Sequence, residues 1–203
     1  MNTVLEFPKP ISSVVLDPRL TDEEFEQMSM ANELVTLERT REGAIIVNAP
    51  TGGDTSSGNI EISRQLANWA GTRVDKKARV FGPDAGFFLP DGSMLSPDAA
   101  YVSAEQMLGL TREKRRHFLY LTPVFVIELL SASDSLAGTK RKLESWIANG
   151  ALLGWLIDPY KHNVHVYEAG QTPRLETGST VAGVGPVAGF VLDLSAVWAL
   201  YED

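Results

Sequence analysis

Pro123-Val-Phe-Val-Ile-Glu-Leu-Leu-Ser-Ala-Ser-Asp134 sets one carboxylate, Glu128, inside an apolar run that extends from Pro123 to Leu130. A short continuous apolar run reads as a buried strand. Burying an ionised carboxylate without a partner costs roughly several kcal/mol even after relaxation. A cation, a metal ion or a network of donors must therefore face Glu128. Asp98, within Ser96-Pro-Asp98 upstream, and Lys142 just downstream are the candidates. Two carboxylates and a lysine are the minimum set for holding Mg²⁺ and activating a water against a phosphodiester.

Outward from this run the chain alternates between short strands and helices. The Glu128 strand spans Val124–Leu130 and leads into a helix from about Ser135 to Ala148, closed by Asn149-Gly150. Leu153–Ile157 is a second apolar strand. Alternating Asn163–Tyr167 pairs with it through the Asp158–His162 turn. Upstream, Thr21-Asp-Glu-Glu24 is a capping box that starts a helix through Met30. Leu34–Val47 reads as a hairpin turning at Arg41-Glu-Gly43. Pro50-Thr-Gly-Gly-Asp54 reads as a loop, followed by a helix over Asn59–Ala70 with Ile62, Leu66, Trp69 and Ala70 at helical spacing. Short strands are expected at Arg79–Phe81, Gly86–Leu89 and Asp98–Ser103, and a charged helix over Ser103–Arg116. The pattern predicts an α/β (α+β) protein with a central mixed sheet covered by helices, organised as an extended arm over residues 1–20 and one domain over 21–203.

Bulk composition narrows the function. Hydrophobic residues at 44% and charged residues at 22% are ordinary for a globular protein, and 203 residues suffice for one sizeable core. With no cysteine, thiolate metal sites are excluded and a reducing cytoplasm is the expected location. No apolar run approaches the ~20 residues of a membrane helix, so no membrane partner is expected. The net charge of −8 argues against a nucleic-acid partner, since phosphate binding recruits a basic surface. A bound metal supplies local positive charge, however, and basic residues cluster in Arg112-Glu-Lys-Arg-Arg116.

Each candidate also has a structural reading. Asp98 could cap a turn after Pro97, and Glu128 could pair with Lys142 or Lys140 without metal. Ser131 and Ser133 read as helix caps rather than nucleophiles. His117, His162 and His165 lack metal-ligand spacing and read as surface residues. Pro50–Gly58 has the glycine of a phosphate loop but not its lysine.

An ordered series now becomes visible: Glu38-Arg39, Gly43, Ile45-Ile46, Pro50-Thr-Gly-Gly53, Asn59, Trp69, Gly86-Phe87 and Leu89-Pro90. It continues with Ser96-Pro-Asp-Ala99, Val126-Ile-Glu-Leu129, Ser131, Ser133-Asp134, Lys142 and Gly154-Trp-Leu-Ile-Asp-Pro159, and ends at Leu192-Asp-Leu194. The series resembles the Uma-type family of restriction-endonuclease-like proteins, a domain of unknown function within the PD-(D/E)-x-K nuclease superfamily. The resemblance implies a restriction-endonuclease-like core with a mixed sheet, Asp98 as first acid and Glu128 as second, with Mg²⁺ or Mn²⁺ between them. The superfamily's lysine two residues after the second acid is here Leu130; the family pattern offers Lys142 from the next helix instead. Glu38 is an auxiliary acid in this reading, although its phase opposite to Val35 and Leu37 also fits a surface position. The implied activity is metal-dependent endonucleolytic hydrolysis of DNA by a homodimer. The alternative is a binding or regulatory module that keeps the fold without catalysis.

Overall fold

The computed structural model of the chain describes residues 13–16, 20–74 and 76–202. In chain order the strands and helices are β1 (Ser13–Leu16), α1 (Asp22–Met30), β2 (Thr36–Arg39), β3 (Ile45–Asn48), α2 (Gly53–Thr72) and β4 (Arg79–Phe81). They continue with β5 (Phe87–Phe88), β6 (Met94–Leu95), β7 (Ala99–Val102), α3 (Ala104–Leu108), β8 (Leu119–Tyr120) and β9 (Phe125–Leu129). After these come α4 (Leu136–Ala148), β10 (Leu153–Asp158), β11 (Asn163–Glu168), β12 (Arg174–Thr177), β13 (Thr180–Ala182), β14 (Val191–Asp193) and α5 (Ser195–Trp198). Of the expected N-terminal arm, residues 13–16 form β1 against β3; residues 1–12 and 17–19 lie outside the described residues.

The mixed α/β class holds, but the strands divide between two six-stranded sheets and a small ribbon. One sheet runs β1-β3-β2-β6-β5-β8, the other β12-β11-β10-β9-β7-β4. In the second, β9 and β10 are parallel and joined through α4, while β7 and β11 flank them antiparallel. Sequence periodicity locates strands but does not say which pair with which, so the division was not legible from it.

Strand β9 shows why Glu128 is where it is. Alternate residues of a strand face opposite sides. Phe125, Ile127 and Leu129 enter the core beneath α2, with Ile62, Leu66, Trp155 and Phe190. Val126 and Leu130 enter the core beneath α4, with Leu143, Trp146 and Leu156. Glu128 shares that second face. Close approach at Gly154 brings α4 down onto it: a Cβ there would stand 2.8 Å from Leu143 Cδ1. A third core, Phe25, Leu37, Ile45, Phe88 and Met94, lies between α1 and the first sheet.

Three local expectations change. Helix α2 begins at Gly53, not Asn59, absorbing part of the expected loop. Its N-cap is Gly52, which makes no side-chain cap bond; Asp54 in the first turn is favoured by the helix dipole. The helix expected over Ser103–Arg116 stops at Leu108, with only a single 3₁₀ turn at Lys114–Arg116. Ser103 and Gln106 form its capping box, but Gly109 costs about 1 kcal/mol in a helix interior, and Arg112 and Arg116 would repel at i,i+4. Finally, α4 is capped by Ser135 Oγ, which accepts from Gly138 N at 3.1 Å. Ser131 and Ser133 instead turn toward each other, and Ser131 Oγ donates to Asp134 at 2.7 Å. Among the described residues, no helix is long and apolar enough to cross a membrane.

Candidate active site

Four side chains from four segments meet at the end of the second sheet. Asp98 precedes β7, whose register pairs Ala99 with Ile127, so Asp98 stands beside Glu128 one step further along the ladder. Glu128 is 3% exposed. Lys142 reaches back from α4, its Nζ 3.0 Å from Glu128 Oε2 and 2.9 Å from Glu38 Oε1. Its third donor goes to the Ser96 carbonyl at 2.7 Å. Lys142, rather than Lys140, is therefore the cation that faces Glu128.

Glu38 is the position that strand phase left open. It is opposite in phase to Leu37, as read from the sequence, yet it is only 6% exposed. Leu37 enters the core beneath α1, whereas Glu38 turns to the opposite side, which is covered by Lys142 and the Ser96 segment instead of solvent. Glu38 Oε1 also accepts the Ser96 N–H at 3.0 Å, and Oε2 accepts from Asn48 Nδ2 at 3.3 Å. Ser96 thus ties the cluster with both halves of its backbone.

Two residues that sequence reasoning did not place here complete the surroundings. Trp146, one turn beyond Lys142, donates its indole N–H to Glu128 Oε1 at 2.8 Å. Asn59 of α2 donates to Asp98 Oδ1 at 2.9 Å, while Asp98 Oδ2 accepts the Leu129 N–H at 2.7 Å. The spacing of Trp146 from Lys142 was a usable signal. An i,i+4 pair lies on one helix face, so a lysine and a tryptophan so placed reach the same strand.

The electrostatics are unbalanced. Three carboxylates face one ammonium. Burial pushes Glu128 up to about 8, opposed by Lys142 and reinforced by Asp98 and Glu38. Burial likewise raises Asp98, against Lys142 and the Leu129 and Asn59 donors. Burial alone would lower Lys142, but Glu128, Glu38 and Asp98 outweigh it and hold the ammonium charged well above its ordinary range. The cluster opens onto a broad cleft of about 2230 Å³ whose lining includes Glu38, Asp98, Glu128 and Lys142.

The donor set is chemically suited to a hard divalent cation. Carboxylate oxygens prefer Mg²⁺ or Mn²⁺, and Mg²⁺ is commonly held by one or two carboxylates with its remaining positions taken by water and phosphate. Among the described residues no three Asp, Glu or His side chains converge as a closed ligand set. Asp98 and Glu128 are the pair that could hold an ion in such an open site. An additional oxygen, Asn59 Oδ1, is buried beside Asp98 without a hydrogen-bond partner, which favours the fit.

Comparison with known proteins bears on the family and the fold. The profile of the Uma2 family, described as "Putative restriction endonuclease", matches residues 22–195. The crystal structure of a "putative nuclease belonging to DUF820" from Anabaena variabilis superimposes with a TM-score of 0.68. The match covers 82% of this chain and 92% of that one at 18% identity, which establishes a shared fold. No curated protein matches the chain.

Proposed function

Since the chain belongs to the Uma2 family of restriction-endonuclease-like proteins, we propose that it is a metal-dependent endonuclease that hydrolyses DNA phosphodiester bonds in the cytoplasm. The observation that carries this reading is the Lys142 ammonium held between Glu128 and Glu38, with Asp98 beside Glu128, at the floor of an open cleft. In this reading Asp98 and Glu128 hold Mg²⁺ or Mn²⁺. Held by these two carboxylates, such a cation would supply Lewis acidity toward a phosphoryl oxygen and toward a coordinated water.

The remaining roles belong to the chain. Lys142 stays protonated, its three donors held by Glu128, Glu38 and the Ser96 carbonyl, and acts through the field of its ammonium on negative charge developing at the phosphoryl group. Glu38 helps hold the ammonium in place beside Glu128, acting as the auxiliary acid. Trp146 and Lys142 each take one oxygen of Glu128 and so fix the plane of its carboxylate. Cutting both strands calls for two such sites, and a homodimer is the simplest way to supply them.

Incubating supercoiled plasmid with the protein and Mn²⁺ or Mg²⁺ tests this reading. The parent is expected to nick or linearise the DNA, and Glu128→Ala to abolish cleavage while retaining the fold by circular dichroism. An Ala variant that cuts as well as the parent contradicts the assignment.

A second reading, a binding or regulatory module without catalysis, is favoured by one observation. Acidic side chains outnumber basic ones along the cleft, where Arg41, Arg64, Arg141 and Lys142 are the cations, in a chain of net charge −8. It predicts that neither metal supports cleavage and that Glu128→Ala leaves partner binding unchanged.

A further inference from the structure

Helix α2 brings more than an apolar face to the site. At Gly58 a Cβ would stand 2.7 Å from Leu129 Cδ2, so glycine there lets the helix come unusually close to the end of β9. The next residue, Asn59, is 5% exposed and lines the cleft. Its carboxamide orientation follows from its partner. An ionised Asp98 only accepts, so the Asn59 NH₂ must face it, as the 2.9 Å contact has it. The carbonyl oxygen is then the end of the carboxamide that Asp98 does not engage.

That oxygen is buried and has no hydrogen-bond partner among the described residues. One helical turn further on, Ser63 Oγ is also buried without a partner and lines the same cleft. An unpaired buried carbonyl is costly, and a bound water or ion is one way such an orphan is satisfied. The chemistry here selects between ligand types. A carbonyl oxygen beside a carboxylate repels anions and attracts a hard cation with its hydration shell. Three carboxylates against one ammonium leave negative charge for that cation to balance.

We propose that Asn59 is a further oxygen donor of the cation site, bracing Asp98 through Nδ2 and turning Oδ1 to the cation, directly or through one water of its hydration shell. The inference rests on Asp98 and Glu128 being that site. It differs from a purely structural role, in which Nδ2 orients Asp98 and the carbonyl is idle.

The test uses Mn²⁺ on the full-length protein, carrying asparagine labelled with ¹³C at the carboxamide carbon. Electron–nuclear double resonance of bound Mn²⁺ is expected to show a ¹³C coupling in the parent that disappears in Asn59→Asp, which carries no label at that position and retains an oxygen there. Calorimetry is expected to show Mn²⁺ affinity about tenfold weaker in Asn59→Ala, the scale typical of residues that support a metal site. Bound Mn²⁺ without a ¹³C coupling that depends on Asn59 overturns the inference while leaving Asp98 and Glu128 as ligands. Absence of Mn²⁺ binding in the parent, or binding unchanged in Glu128→Ala, overturns the underlying metal reading and the inference with it. Thermal melting of both variants separates loss of affinity from loss of fold.

Discussion

Two cations held by carboxylates, the buried Arg39 and the partly buried Lys142, occupy neighbouring regions and are treated in opposite ways. Arg39 lies against the rings of both Phe25 and Phe88, at 5.5 and 5.3 Å from their centroids. Its guanidinium donates to the Gly92 carbonyl at 2.8 and 3.1 Å and pairs with the single carboxylate of Asp22. Charge and hydrogen bonds balance, and the arrangement ties α1 to the β5–β6 turn. Lys142 faces Glu38, Glu128 and Asp98, and balance is absent. A single carboxylate suffices to bury a cation. Surplus carboxylates with raised protonation are costly for stability, and such perturbed groups gather where chemistry is done. The comparison thus separates a structural ion pair from a candidate site on one criterion, the local charge sum.

Breaking the balanced side should have the largest effect on stability. Arg39→Ala removes a buried cation, its stacking and its hydrogen bonds, and is expected to lower unfolding free energy by about 3 kcal/mol or more. Urea denaturation checks this, and a loss below 1 kcal/mol would remove Arg39 from the structural side of the comparison.

The unbalanced side should behave in the opposite sense. Glu128 is raised from 4.5 to about 8 in the folded protein, so the native state holds its proton after the unfolded chain has released it. Between those values the native state binds more protons, and metal-free stability must fall as pH rises, the loss being complete above about 8. The slope attributable to Glu128 is at most about 1.4 kcal/mol per pH unit. Glu128→Gln keeps an acceptor for Trp146 and removes this term. In EDTA the variant is expected to match the parent near pH 4 and to exceed it near pH 9. Parallel pH profiles for the two proteins would refute the raised pKa.

A smaller effect probes how Glu128 is oriented. Trp146→Phe keeps the ring that packs on Phe87 and deletes the N–H that meets Glu128 Oε1. Stability is expected to drop by about 1 kcal/mol, with Mn²⁺ affinity weakened severalfold. Unchanged affinity in calorimetry would mean that the indole only fills space.

How far the site could be read from sequence depends on what each signal encodes. Glu128 was legible because one charge in an apolar strand demands a partner. Lys142 was legible only as one of two lysines, since Lys140 on the same helix could equally pair with Glu128, and Asp98 only as a candidate partner that could also cap a turn after Pro97. Glu38 was only half legible. Strand alternation gives its phase relative to Leu37, but not that the opposite side is covered by a second layer. Asn59 was quoted as part of the family pattern without a role. The Pro50-Thr-Gly-Gly start of its helix carries no side-chain cap and reads as loop, which hid the turn that carries Asn59 to Asp98. The two-sheet division was illegible because it depends on long-range pairing, such as β2 with β6, that local patterns do not record.

The central claim is that the carboxylate surplus around Lys142 is a cation site. The most direct measurement is Mn²⁺ calorimetry on the parent and on Glu128→Ala at pH 8. Binding near one equivalent in the parent, lost in the variant, is the result expected. Absence of binding in the parent, or equal binding in both proteins, would contradict the claim and make the cluster a buried ion pair.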